Sequence, residues 1–231
     1  MTQSPTSPPA EIYNRLMSKV FSSEVPPGTK LVERRLANEL GVSRIPVRES
    51  LKKMVAQGVL VGGQRGEGVR VRDYSAEEVR QLYELREVIE GGIARAAADN
   101  ASADELLKLS LIIDQSEHEV GNYGSERWAD LDHKFHQTLA AASHNARFVE
   151  SMRTLLTESH YVFYLHLPRK ARPHPEAEEV HAMMQRVVDD HRELLEAIRG
   201  RDGEAAERIA RAHMRQSATR ATHALIASDI E

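Results

Sequence analysis

No cysteine occurs in the 231 residues, which excludes disulfides, thiolate metal sites and cysteine nucleophiles together. Any metal would have to be held by nitrogen and oxygen. Only 5 % of the chain is aromatic, so a core must be built mainly from aliphatic side chains, for which an apolar content of 41 % suffices. No apolar run approaches the roughly 20 residues that cross a bilayer. The opening segment MTQSPTSPPA has neither the basic nor the apolar region of a secretory signal, so the expected location is the cytoplasm, without a membrane partner. Histidine is missing from the first half of the chain: all 11 lie between His118 and His223.

The net charge of −4 hides a division. Residues 1–72 carry 12 Lys and Arg against 6 Asp and Glu, net +6, while the remainder carries 19 against 29, net −10. A basic segment followed by an acidic one points to one part facing a polyanion and another part with a different task.

The first ten residues, with three prolines and several Ser and Thr, bury nothing useful and are expected to form a disordered tail, 1–10. In 11–72, Ile12, Leu16, Met17 and Val20 recur at helical spacing, and SSEVPPGTK follows as a turn. A second helix is expected at about 32–40, stopped by Gly41, and a third from 43 to 58. VLVGGQRGEGVRVR then sets two β-branched runs around a glycine-rich turn, the pattern of a hairpin. Helix, helix, three-residue turn, helix and hairpin is the order of a winged helix-turn-helix, with three helices and a two-stranded wing. Residues 73–75 read as a linker. Ser75 with Glu78, and Ser102 with Glu105, fit capping boxes that open the next two helices. Over 76–231 only helical periodicity is found, at about 76–98, 103–120, 125–143, 146–166, 176–199 and 203–227. The fold class is therefore mainly α: a winged helix-turn-helix followed by an all-α antiparallel bundle of six or seven helices.

In the third helix Val47, Leu51, Met54 and Val55 form an apolar face, and Arg44, Arg48 and Lys52 form a second row at i, i+4 and i+8. One face packs while the other presents three cations. Ser43 is placed to cap the helix, and Pro46 is tolerated because first-turn N–H groups have no intrahelical partner. Arginine near such a helix start can bond two acceptors on guanine, and Arg65 and Arg70, beside Gly66 and Gly68, would set the wing on the DNA backbone.

The run PPGTKLVERRLANELGVSRIPVRESLKKMVAQGVLVGGQRGEG resembles the DNA-binding domain of the GntR family of bacterial regulators over about 60 residues. By motif position, the resemblance implies operator contacts from Arg34, Ser43, Arg44, Arg48 and Gly66. Ile45 departs from the pattern, because the family usually carries a small polar residue there.

A second cluster lies in the helical part. Trp128, Leu131, Asp132, Phe135, His136 and Leu139 share one helical face. His191 falls in the stripe Met184, Val187, Leu194, Leu195 and Ile198, and His213 aligns with Ala206, Ile209 and Ser217. One carboxylate and three imidazoles thus project from apolar faces of three helices. A carboxylate buried without a partner is costly, so these groups must either bond one another in a packed core or share a cation. Asp132 and His136, at i and i+4, can chelate one ion, and two more histidines would complete a three-nitrogen, one-oxygen set suited to Zn²⁺, Ni²⁺, Mn²⁺ or Fe²⁺. The segments DHKFHQTLAAASHNARF and DDHRELLEAIRGRDGEAAERIARAH are similar to the FCD sensory domain of the FadR-type branch. That resemblance implies a divalent metal held by Asp132, His136, His191 and His213.

Of the other histidines, His133 and His144 suit surface roles, and His160 a pocket lining. Arg86 falls with Val79, Leu82, Ile89 and Ile93 on an otherwise apolar face, where it serves either an acidic ligand or Glu90, one turn on. The expectation is a homodimeric repressor on an inverted-repeat operator, controlled by a small carboxylic acid. Two alternatives stand beside it: a metalloenzyme, although no HExxH motif or nucleophile constellation is present, and an architectural DNA binder, which would leave the polar cluster without a purpose.

Overall fold

The computed structural model describes residues 8–22, 24–62, 68–122, 125–166 and 177–229, which divide into two compact units at Tyr74 and Ser75. Residues 1–7 and the wing tip with Arg65 and Gly66 lie outside the described residues, as do residues 167–176 between the expected helices at 146–166 and 176–199.

The first unit runs α1 (Pro8–Phe21), β1 (Lys30–Leu31), α2 (Glu33–Leu40), α3 (Arg44–Ala56), β2 (Leu60–Gly62) and β3 (Val69–Val71). Its core gathers Ile12, Leu16 and Val20 of α1 with Val47, Leu51 and Met54 of α3. Gly41 closes α2 at φ 68°, a left-handed geometry that glycine adopts without strain.

Three details correct the reading of the sequence. The first helix begins at Pro8, inside the expected tail, because proline is tolerated in a helix's first turn. The sheet has three strands in the order β1-β3-β2, since Leu31 pairs with Val69 as well as Leu60 with Val71. A two-residue strand is too short to reveal itself by alternation. Ser43 occupies the N-cap position of α3 but makes no side-chain cap bond. A capping oxygen seeks the N–H two or three positions on, and the third position is Pro46, which has none.

Tyr74, expected in the linker, donates its hydroxyl to the Gly58 carbonyl (3.2 Å) within the first unit. The second unit is helical throughout its described residues: α4 (Ala76–Asn100), α5 (Ala103–Glu117), α6 (Glu126–Ala142), α7 (Ala146–His166), α8 (Ala177–Arg199) and α9 (Gly203–Asp229). Helix α4 is its axis. It runs along α9 and also touches α6, α7 and α8, burying Val79, Leu82, Ile93, Ala94 and Ala97. Small residues permit the close approach to neighbours. A Cβ on Gly91 would lie 2.9 Å from the Arg211 side chain, and one on Gly92 would lie 3.2 Å from Phe148.

Both capping boxes are formed, Ser75 with Glu78 and Ser102 with Glu105. The Ser102 backbone and hydroxyl, helped by exposed His144 at 3.0 Å, hold the Glu105 carboxyl down to about 2. A carboxylate whose pKa is depressed on folding stabilises the fold above its unfolded value and loses that contribution as pH falls toward its folded one. The stability deficit of Glu105→Gln relative to wild type should therefore be full above pH 4.5 and shrink as pH falls toward about 2, as read by urea unfolding across that range. A deficit independent of pH would show that the carboxylate is not the stabilising form.

Candidate functional site

On the first unit, Arg34, Ser43, Arg44 and Arg48 are all exposed, so all four can be reached by DNA. The arginines of α3 are not loose. Arg48 donates to both oxygens of Glu33 at 3.0–3.1 Å, and Arg44 lies 3.5 Å from the same carboxylate. Glu33, its pKa lowered chiefly by Arg48, holds the two guanidinium groups side by side. Arg70, expected on the DNA backbone, donates to the Gly28 carbonyl (3.2 Å).

In the second unit His136, His191 and His213 converge from α6, α8 and α9, all buried, with one nitrogen of each within 4.8 Å of the others. His191 Nε2 and His213 Nε2 are 3.3 Å apart. Two neutral imidazoles cannot both aim lone pairs across that gap without either a proton or a cation between them. Nitrogens held by one tetrahedral ion at about 2.0–2.1 Å would sit about 3.3 Å apart. Asp132 stands at the margin. Its Oδ1 is 3.8 Å from His136 Nε2 and 4.0 Å from His191 Nε2, and its side chain is 40 % exposed.

The surroundings fix how the imidazoles point. His213 Nδ1–H donates to Asp190 Oδ2 (2.9 Å), leaving Nε2 as the free acceptor. His136 Nδ1 lies 2.5 Å from Glu90 Oε2, though off the line of a well-formed hydrogen bond, so both of its nitrogens are buried without a hydrogen-bond partner. Phe135 stacks on His191 at 3.8 Å between ring centres. Burial, and then each neighbouring imidazole, drives the His191 pKa well below its usual value; burial also lowers that of His213, against the pull of Asp190. Neutral imidazole is the form that ligates metal. Orphaned donors, a carboxylate behind each of two rings and an all-N/O set together fit a divalent cation.

Beside the histidines opens a cavity of about 390 Å³, lined in part by Trp128, Leu156, Phe163 and Val187. Arg86 and Asp132 also face it. Arg86 is buried and bonded to Glu90 through Nε (2.8 Å), so the neighbour one turn on is in place, and the same guanidinium borders the cavity. Burial alone would raise the Glu90 carboxyl, but Arg86 and His136 hold it down to about 2. His133, expected on the surface, is half-buried in the cavity wall with its Nδ1 3.5 Å from that of His160, because α7 packs against the flank of α6 on which it sits. Burial and the facing ring push the His133 pKa down to about 4.

Sequence reading missed Glu33 and Asp190, the partners of Arg48 and His213, and Arg220, which lines the cavity. Asp190 directly precedes His191 and Arg220 lies two turns beyond His213, so periodicity could have flagged the second; the partners of the other two are fixed only by tertiary packing.

A helix-turn-helix with a cationic third helix, followed by a helical domain with a cavity beside a histidine cluster, is the plan of a transcriptional regulator. Residues 8–71 match the bacterial regulatory proteins of the gntR family, and residues 81–216 match the FCD domain. The chain belongs to the GntR family of DNA-binding transcriptional regulators, in the branch that carries an FCD domain. It is 26 % identical to the HTH-type transcriptional regulator YdhC of Bacillus subtilis over 96 % of this chain and 94 % of that protein. It is also 26 % identical to the HTH-type transcriptional repressor RspR of Escherichia coli, over 92 % and 88 %. Its fold is shared with McbR/YncC of E. coli, at TM-score 0.73 and 18 % identity over 94 % of this chain and 98 % of that one. A GntR-type regulator from Rhodococcus sp. RHA1 gives 0.69 and 21 % over the same shares. These are regulators and not enzymes. Among the described residues no helix is long and apolar enough to cross a membrane.

Replacing Glu90 by alanine leaves the Arg86 guanidinium buried without its anion and should cost about 3–5 kcal/mol. Removing both charges, as Arg86→Met with Glu90→Leu, should recover much of that loss in the same urea titration. Equal losses in the single and double variants would mean that Glu90 does not neutralise Arg86.

Proposed function

We propose that the chain is a metal-dependent, acid-responsive repressor that binds an inverted-repeat operator as a homodimer. The observation that carries this reading is the convergence of His136, His191 and His213 beside a cavity whose wall includes His136 and His213. A divalent ion held by these three and Asp132 would offer an open coordination position to a carboxylate oxygen. Arg86 would steady the acid from the cavity wall, and the apolar lining would select its carbon skeleton. The acid touches no DNA, so it acts by favouring one arrangement of the reading heads, and its effect is limited by its differential affinity for the two arrangements.

The dimer is argued from size. One reading helix contacts too few base pairs for genomic specificity, and twofold pairing is the usual remedy. Leu85 and Val88, one turn apart on α4 and about half exposed, offer a second copy an apolar contact.

The test uses wild type, His191→Ala/His213→Ala and Arg48→Ala. Metal analysis, calorimetry with small carboxylic acids, sedimentation equilibrium and operator gel shifts should give stoichiometric metal in the wild-type dimer, and loss of both metal and acid binding in the histidine variant. Arg48→Ala should bind operator about 1–3 kcal/mol more weakly. A tenfold operator response to acid corresponds to about 1.4 kcal/mol of coupling. An acid that binds and shifts the operator equally in wild type and histidine variant would overturn the role given to the cluster, and a monomer on one half-site would overturn the dimer.

A further inference from the structure

We propose that Arg220 forms a second anion subsite in the cavity, so that the effector carries two acidic groups. The proposal rests on the reading of the cavity as an acid site. Arg220 of α9 is half-buried and lines the cavity. Its NH2 group donates to Ser217 Oγ at 2.7 Å, and among the described residues no carboxylate lies within ion-pairing distance of it. Arg86, which also lines the cavity, is neutralised by Glu90, and on α9 Arg211 pairs with Glu207 and Arg215 with Glu87. A guanidinium has five donors, so a half-buried one with a single hydroxyl partner leaves strong donors facing the cavity. Asp132, the carboxylate on the same wall, stands by the histidine cluster, 3.8 Å from His136 and 4.0 Å from His191. Burial lowers the pKa of Arg220 against the weaker pull of the more distant Asp132 and Asp190, as expected for a desolvated cation without an ion-pair partner.

Spacing sets the ligand. His213, Ser217 and Arg220, at i, i+4 and i+7, share one face of α9, where four residues rise about 6 Å along the axis. Because its bond to Ser217 draws the Arg220 head back along the helix, the cationic head lies near the level of Ser217, about one turn from His213. A ligand with one acid group at the histidines and another at Arg220 therefore needs the two about 6 Å apart. The chain between them would lie against Leu156, Val187 and Met214, which are apolar.

The test titrates succinate, glutarate and adipate against butyrate, valerate and hexanoate, the monoacids of equal chain length, on metal-loaded wild type, Arg220→Gln and Arg220→Lys. At one chain length the diacid should bind wild type at least about tenfold more tightly than its monoacid, a difference of about 1.4 kcal/mol. Arg220→Gln should abolish that preference with unchanged metal content and monoacid affinity, and Arg220→Lys should restore part of it. No diacid preference in wild type, or a preference that survives Arg220→Gln, overturns the subsite while leaving the metal reading intact. Absence of metal and of all acid binding overturns the underlying reading, and the subsite with it.

A separate inference concerns the reading helix: we infer that Ile45 contacts a thymine methyl group. Ile45 is 69 % exposed, more than any other large apolar side chain among the described residues, and it is the second residue of α3, beside Arg44 and one turn before Arg48. The first residues of a recognition helix reach base edges, and the thymine methyl is the apolar feature of the major groove. Replacing thymines of a selected operator one at a time by deoxyuridine removes only that methyl. At one thymine per half-site the wild type should lose about fourfold in affinity, the worth of one buried methyl, and Ile45→Ala should be insensitive to the same change. Equal responses of the two proteins at every thymine would overturn the contact.

Discussion

The second unit is organised around a charge that would be costly if left alone. Arg86 projects from α4, the helix against which four others pack, and is buried with Glu90 one turn away. Glu90 faces two neighbours at once, pairing with Arg86 through one oxygen and standing beside His136 Nδ1 with the other. His136, one of the three converging imidazoles, thus stands beside a carboxylate whose first duty is to neutralise an arginine. Buried pairs of this kind add little net stability, but removing one member is expensive. That asymmetry ties the histidine cluster to the integrity of the bundle.

The same arrangement recurs at the reading helix in an exposed setting. Glu33 gathers Arg48 and Arg44 from the start of α3 onto one carboxylate of α2. On the proposed DNA contact, the guanidinium groups would be ordered before DNA arrives, so less side-chain freedom would be lost on binding. Against this, a phosphate or guanine must compete with an anion already in place. Exposure favours the exchange, since solvent-facing ion pairs are weak.

Features determined by neighbours in the chain were legible in the sequence, and those determined by packing were not. The capping boxes at Ser75 and Ser102, the stop at Gly41 and the face shared by Asp132 and His136 are local, and the structure contains them. The three histidines stood on apolar faces of their helices, with Asp132 beside His136, which left core pairing and a shared cation both open; it was the resemblance to the FCD domain that grouped them. Strand β1 was invisible because two residues cannot alternate. His133 was read from its own helix as surface-facing, yet α7 covers it. Glu33 and Asp190 look like ordinary surface acids until the tertiary fold brings Arg48 and His213 to them.

The capping box at Ser75 has a mechanical consequence. It opens α4 at the first residue of the second unit, immediately after Tyr74, whose hydroxyl is tied to Gly58. From Ala76 to Arg86 the helix is a continuous rod about 15 Å long. An uninterrupted helix is stiff over that length, so a small turn of α4 about its axis at Arg86, beside the cavity, would be carried along its own unit to the capped end at Ser75 without being absorbed on the way.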